Sequence, residues 1–159
     1  MTDAEFEQAV ERYGDMVFRL SFSYLKCRAD AEDVMQETLL KLYTASGPFR
    51  SADHERYWVI RVAVNECRKL LRSPWRRRVS PMEELQEAAV FDAPAQSELF
   101  QHVMALPPRY RVAIYLYYYE DYPIQEIAQI MGAKPSTVQT WLMRARGRLQ
   151  TILKEAESG

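Results

Sequence analysis

The chain has 159 residues, 48% hydrophobic and 27% charged, with only 5 glycines and 8 prolines, which allows one domain of ordinary size or two small ones. Charge interrupts every apolar stretch well short of the ~18 residues that a bilayer-spanning helix needs, and the start Met1-Thr2-Asp3-Ala4-Glu5 lacks a basic secretory opening, so a soluble intracellular protein is expected. The 21 basic and 22 acidic residues cancel to a formal net charge of -1, so any polyanion site has to come from how the charge is distributed.

Phe6, Ala9, Val10, Tyr13, Val17, Leu20 and Tyr24 recur at three- and four-residue steps and predict a first amphipathic helix. Ala31, Val34, Met35, Thr38 and Leu42 predict a second. Opposite that stripe, Asp33, Gln36, Glu37 and Leu40 line up as an acidic patch with an apolar centre, which repels DNA and suits a protein partner. A plainly solvated helix face has the same spacing.

The stretch from Ala45 to Asp53, with Gly47-Pro48 inside it, breaks the second helix, and a third is predicted from about Glu55 to Arg72. On it Trp58, Arg61, Asn65, Arg68, Lys69 and Arg72 share one arc, while Ile60, Ala63, Val64, Cys67, Leu70 and Leu71 share the opposite one. An aromatic ring among cations is the composition that holds unpaired nucleic acid, the ring stacking on a base and the guanidinium groups tracking the backbone. The alternative is that Trp58 completes the core and the cations are solvated.

From Ser73 to Ser97 the periodicity dissolves among Pro74, Pro81 and Pro94, which reads as a flexible linker between two small helical domains, 1–72 and 98–159. The second half resumes with a helix around Glu98 to Ala105, a break at Leu106-Pro107-Pro108, a helix from about Arg109 to Glu120, and two more after Asp121. Tyr115, Tyr117, Tyr118, Tyr119 and Tyr122 read mainly as core-edge packing with hydroxyls reaching solvent, rather than as stacking platforms. No convincing strand pair is visible, and the expected fold class is all-α.

The last two helices carry the sharpest local pattern. Ile124, Ile127, Ala128 and Met131 form one apolar stripe, Val138, Leu142, Ala145 and Leu149 another, and Met131-Gly132-Ala133-Lys134-Pro135 lies between them. A glycine ending one helix and a proline opening the next is the corner of a helix-turn-helix. Away from the second stripe stand Ser136, Gln139, Thr140 and Met143, flanked by Arg144 and Arg146, an order that suits base edges first and phosphates beside them. From Ile127 to Lys154 there is no acid, yet Lys134, Arg144, Arg146, Arg148 and Lys154 are present; a surface helix that faces only water normally mixes both signs. A second basic run extends from Arg68-Lys69 through Arg72 to Arg76-Arg77-Arg78, so a polyanion touched at two places is expected.

Much chemistry is excluded by omission. Cys27 and Cys67 stand 40 positions apart, and His54 and His102 lack ligand-like neighbours, so neither a disulfide framework nor a zinc site is expected. There is no glycine-rich phosphate loop, no Gly-x-Ser-x-Gly elbow and no His-Glu-x-x-His. The expectation is a binding protein without catalysis, cofactor or small-molecule substrate.

In combination these features resemble a known family. Ala29-Asp30-Ala31-Glu32-Asp33-Val34-Met35-Gln36-Glu37-Thr38 is similar to the signature of extracytoplasmic-function sigma factors of bacterial RNA polymerase. Phe49-Arg50 followed by Tyr57-Trp58-Val59-Ile60-Arg61-Val62-Ala63-Val64-Asn65 resembles the family's promoter-melting segment. Leu106 to Arg111, Ile124 to Ala128 and Thr137 to Arg146 resemble its −35-binding domain. The resemblance implies that Asp33, Gln36, Glu37 and Leu40 dock on core RNA polymerase. It implies that Phe49, Trp58, Arg61, Asn65, Arg68, Lys69 and Arg72 serve the −10 element, opening it and capturing a flipped base, with Asn65 placed to read it. Lys134, Ser136, Thr137, Gln139, Thr140, Met143, Arg144 and Arg146 then serve the −35 element of promoter DNA. It further implies a cytoplasmic protein, and an anti-sigma factor as partner that could hold it at the membrane. Lys69 stands where Asp is frequent, Gln125 where an acid is frequent and Trp141 where a smaller or basic residue is frequent, so no promoter sequence carries over. Two other readings stay open: a stand-alone helix-turn-helix regulator that binds duplex DNA without polymerase, and a helical adaptor that binds a protein through its tyrosines and leucines.

Overall fold

The structure is a computed structural model that describes residues 1–45, 48–74 and 98–158. The chain divides into two compact units, Met1–Ser80 and Pro81–Gly159. Apart from Ser73 and Pro74, the expected linker lies outside the described residues, as do Arg76, Arg77 and Arg78 of the basic run. Every regular element among the described residues is helical, in agreement with the expected all-α class.

Three helices build the first unit. α1 covers Asp3–Leu25; the Thr2 hydroxyl accepts the Glu5 N–H at 3.1 Å, and Asp3 and Glu5 complement the positive end of the helix dipole. It stops where Lys26 turns left-handed at φ 53° and donates its N–H to the Phe22 carbonyl at 2.9 Å. α2 covers Arg28–Thr44 and α3 covers Ala52–Arg72, the latter capped by Ser51, whose hydroxyl accepts the His54 N–H at 3.1 Å. That cap starts α3 three residues earlier than the apolar periodicity predicts, because a capping hydroxyl can begin a helix on Ala52, Asp53 and His54 before any core residue is reached. α1 packs on both other helices, and Val17, Leu20, Leu25, Ala31, Val34, Leu42, Ile60, Ala63 and Val64 are buried where they meet. Cys27 and Cys67 are buried in the same interior and are not joined in a disulfide.

The second unit is assembled around its last helix. α4 covers Glu98–Met104, α5 Pro108–Ile114, α6 Ile124–Met131 and α7 Pro135–Ser158, and α7 packs against each of the other three. Pro108 stands in the first turn of α5, where its missing N–H costs nothing. Arg111 is buried, and its guanidinium donates to the carbonyls of Leu106 at 2.6 Å and Met104 at 3.4 Å, satisfying carbonyls left open at and just after the C-terminal end of α4. The long helix expected from Arg109 to Glu120 is interrupted: Tyr115–Tyr119 form a π-helical turn, with the Glu120 N–H reaching the Tyr115 carbonyl at 3.1 Å. Within this turn the rings of Tyr115 and Tyr119 stack at 5.1 Å.

α6 ends in a Schellman arrangement. Gly132 is left-handed at φ 64° and donates to Gln129 at 3.4 Å, and Ala133 donates to Ala128 at 2.9 Å. Lys134 then accepts the N–H of Thr137 at 3.0 Å and of Val138 at 3.1 Å, opening α7. The corner is therefore the expected one, glycine before and proline after. Ile127, Ala128, Ile130 and Met131 bury their side chains with Val138, Leu142 and Ala145. Leu106 and Tyr110 join Ala145 in one cluster, with Ile114 and Trp141 packed against it.

Candidate nucleic-acid interface

The expected docking patch on α2 is on the surface. Val34, Thr38 and Leu42 take the core side, and Asp33, Gln36, Glu37 and Leu40 are exposed, Leu40 at 54%. A leucine so open among two carboxylates and an amide gives that face an apolar centre with an acidic rim.

On α3, Arg61, Asn65, Lys69 and Arg72 are exposed, and Trp58 and Arg68 are half-buried. Trp58 does not stand alone. The chain entering α3 folds Phe49 back so that its ring lies 5.4 Å from Trp58 and 5.6 Å from His54, and His54 Nδ1 accepts the Arg50 N–H at 3.2 Å. The two aromatics expected at the melting segment are thus brought together at the start of α3. Asn65 lies nearly two turns further along the helix.

The cationic arc is less uniform than its spacing suggests, because the half-buried Glu66 borders it beside Lys69. Glu66 accepts a short hydrogen bond from Lys41 of α2 and a second from Lys69 at 3.3 Å. Burial pushes its carboxyl pKa up, but the bonds from Lys41 and Lys69 outweigh that and hold it below the ordinary carboxylate range. Lys69 therefore carries a partly answered charge. Its side chain is 68% exposed, so it stays accessible to a phosphate.

A second support lies beneath the same helix. Glu55 of α3 accepts from Tyr13 of α1 at 2.6 Å and from Arg12 at 3.1 Å. Burial, followed by the bond to Glu55, pushes the Tyr13 hydroxyl up to about 12. None of Glu55, Glu66, Arg12 and Tyr13 is marked as functional by its sequence neighbourhood, although Glu66 three places before Lys69 is visible as an i,i+3 pair.

In the second unit, Lys134, Ser136, Gln139, Met143, Arg144 and Arg146 are exposed and Thr137 and Thr140 half-buried, with Met143 at 60%. Thr140 donates its hydroxyl proton to the Ser136 carbonyl at 3.0 Å, which leaves its oxygen lone pairs and methyl group to face outward. The two arginines diverge. Arg146 donates to the Tyr118 hydroxyl oxygen at 2.9 Å, whereas Arg144 acts electrostatically on the Tyr110 hydroxyl. At 100° per residue they flank the Ser136, Gln139, Thr140 and Met143 face, one on either side. Arg109 and Arg148 each lie 5.3 Å from the Tyr110 ring centre. Arg144, helped by the neighbouring guanidinium charges, lowers the Tyr110 pKa against the opposing effect of burial. Arg148 belongs to the expected basic run, whereas the sequence spacing does not mark Tyr118 as a partner of Arg146. The outcome for the tyrosine run is mixed: Tyr115 and Tyr122 are buried, Tyr117 is half-buried, and Tyr118 and Tyr119 are about half exposed.

Comparison with known proteins places both units. Residues 9–77 match the family Sigma-70 region 2, and residues 98–149 match Sigma-70, region 4. The chain is 32% identical over 130 residues to the RNA polymerase sigma factor SigV of Bacillus subtilis, covering 80% of this chain and 78% of that protein. It is 28% identical over 158 residues to the ECF RNA polymerase sigma factor SigM of Mycobacterium tuberculosis, covering 97% and 80%. Among solved structures, the sigma factor RpoE of Bartonella quintana, crystallised with the anti-sigma factor NepR, shares the fold with a TM-score of 0.70 at 21% identity, over 94% of this chain and 97% of that one. An acidic α2 face, a cationic and aromatic α3 and a helix-turn-helix without acids from Ile127 to Lys154 thus stand in one chain that belongs to the extracytoplasmic-function group of RNA polymerase sigma factors.

Proposed function

We propose that this sigma factor divides promoter-directed initiation between a polymerase-docking and −10-melting module at residues 1–72 and a −35-reading module at residues 98–159, joined by a linker at 73–97. The observation that carries the reading of the first module is the contrast in character between the α2 and α3 surfaces: an acidic face with an open Leu40 suits a protein, and a face of Arg61, Asn65, Lys69 and Arg72 beside the Phe49–Trp58 pair suits unpaired DNA.

In this reading Asp33, Gln36, Glu37 and Leu40 hold the core enzyme. Phe49 and Trp58 supply π-faces to separated bases, Asn65 reads one of them, and Arg61, Arg68, Lys69 and Arg72 follow the backbone. Ser136, Thr137, Gln139, Thr140 and Met143 meet base edges of the −35 element, and Lys134, Arg144 and Arg146 meet phosphates. The protein works in the cytoplasm and catalyses nothing itself. An anti-sigma factor that covers the α2 face and α7 would switch it off, consistent with the solved sigma factor RpoE of like fold, which is bound to the anti-sigma factor NepR.

Run-off transcription on genomic fragments with purified core RNA polymerase tests the proposal. Specific transcripts are expected only when chain and core enzyme are both present. Tight, sequence-specific duplex binding by the free chain, with no effect on core polymerase, would instead establish the stand-alone regulator.

A further inference from the structure

The tyrosine run reads as packing, yet Tyr118 is 52% exposed and keeps its ring in place through a T-shaped contact with Tyr117 at 4.9 Å. Its hydroxyl oxygen receives a hydrogen bond from Arg146 Nη1 at 2.9 Å, bridging the π-helical turn and α7. In that bond the guanidinium donates and the phenol accepts, so the phenol's own proton is directed to a third group. The guanidinium has further donors of its own. A phenol that accepts from a cation is polarised and becomes a better donor. The nearest acid in sequence, Glu120, already accepts from the Tyr115 hydroxyl at 2.6 Å. Arg146 follows Gln139 and Met143 at seven and three residues, so the pair borders the base-facing ridge of α7, where the phosphates of a duplex bordering the major groove run.

We propose that Tyr118 is a DNA-backbone contact, its hydroxyl and the Arg146 guanidinium closing together on one phosphate beside the −35 element. The inference rests on α7 being the duplex-reading helix, and it adds to that helix a neutral donor from an element outside it. The two donors do different things. Arg146 neutralises a phosphate and releases counterions, whereas Tyr118 adds a hydrogen bond with no change in charge.

The test is salt-titrated binding of the full-length chain with core RNA polymerase to promoter DNA, for the wild type, Tyr118→Phe, Arg146→Ala and Arg144→Ala. Phenylalanine keeps the ring and its packing and removes only the hydroxyl. Tyr118→Phe is expected to weaken binding about fivefold at every salt concentration, irrespective of −35 sequence, with the salt slope unchanged. Arg146→Ala is expected to lower the slope by about 0.9. Wild-type affinity in Tyr118→Phe beside a weakened Arg146→Ala would overturn the contact while leaving α7 on the DNA. A slope lowered by Tyr118→Phe as much as by Arg146→Ala would also overturn it, since the tyrosine would then only orient the arginine. No effect from any of the three variants would remove α7 from the duplex, and the inference with it.

Discussion

Tyr13 of α1 donates its hydroxyl proton to Glu55 of α3 at 2.6 Å, and this bond joins the first helix to the start of the one that carries the aromatic and cationic face. Both partners are needed at their present helical positions, since Glu55 lies one turn before the half-buried Trp58. Tyr13→Phe is expected to lower stability by about 1 kcal/mol, the net contribution of such a bond, and urea denaturation checks it. The pH dependence has a definite sign. The hydroxyl pKa is raised to about 12 from its ordinary 10, so the folded state holds this proton more tightly than the unfolded state. Its contribution is complete below pH 10 and is lost as pH rises through about 12. In a spectroscopic tyrosine titration one late-ionising tyrosine should be lost in Tyr13→Phe, while Tyr43, raised by its bond to Asp3, remains.

Reversing Asp33 and Glu37 together to lysine should reduce association with core RNA polymerase by about a hundredfold or more, because like charges then oppose across an interface built for the opposite sign. Both positions are exposed, so the helical circular dichroism and the denaturation midpoint should stay close to wild type. Native gel shift with core enzyme measures the loss. Undiminished binding would take the docking role away from this face.

Arg144 and Gln139 should separate positioning from reading. Arg144→Ala is expected to weaken −35 binding evenly across sequences and to lower the salt slope by about 0.9, as the loss of one phosphate contact does. Gln139→Ala should change which sequences are selected, because an amide offers a paired donor and acceptor to a base edge. Binding selection on randomised −35 DNA distinguishes them, and identical profiles would dissolve the distinction.

Gly132 is the position where the helix-turn-helix depends on a glycine backbone. At φ 64° a Cβ meets the neighbouring carbonyl, so Gly132→Ala should cost about 1–2 kcal/mol, and Gly132→Asn less. Chemical denaturation that follows the second unit provides the measurement. Equal stability of the alanine variant would mean that the corner is set by packing of Ile127 and Val138 alone.

Local periodicity and capping made much of this protein legible in one dimension. The stripe Ala31, Val34, Thr38 and Leu42 is buried because residues three and four apart share a helix face, and the same rule leaves Asp33, Gln36, Glu37 and Leu40 outside. Gly132 and Pro135 mark the corner because each favours a backbone conformation that is needed there. Residue order alone thus determined the all-helical class, both candidate surfaces and the family. What tertiary structure decided is which side chains answer each other across helices. Lys41 reaches Glu66 over 25 positions, Tyr13 reaches Glu55 over 42 and Arg146 reaches Tyr118 over 28. No periodicity encodes such pairs, because their distances depend on how α1, α2 and α3 pack, and on a π-helical turn whose extra width sequence spacing does not report.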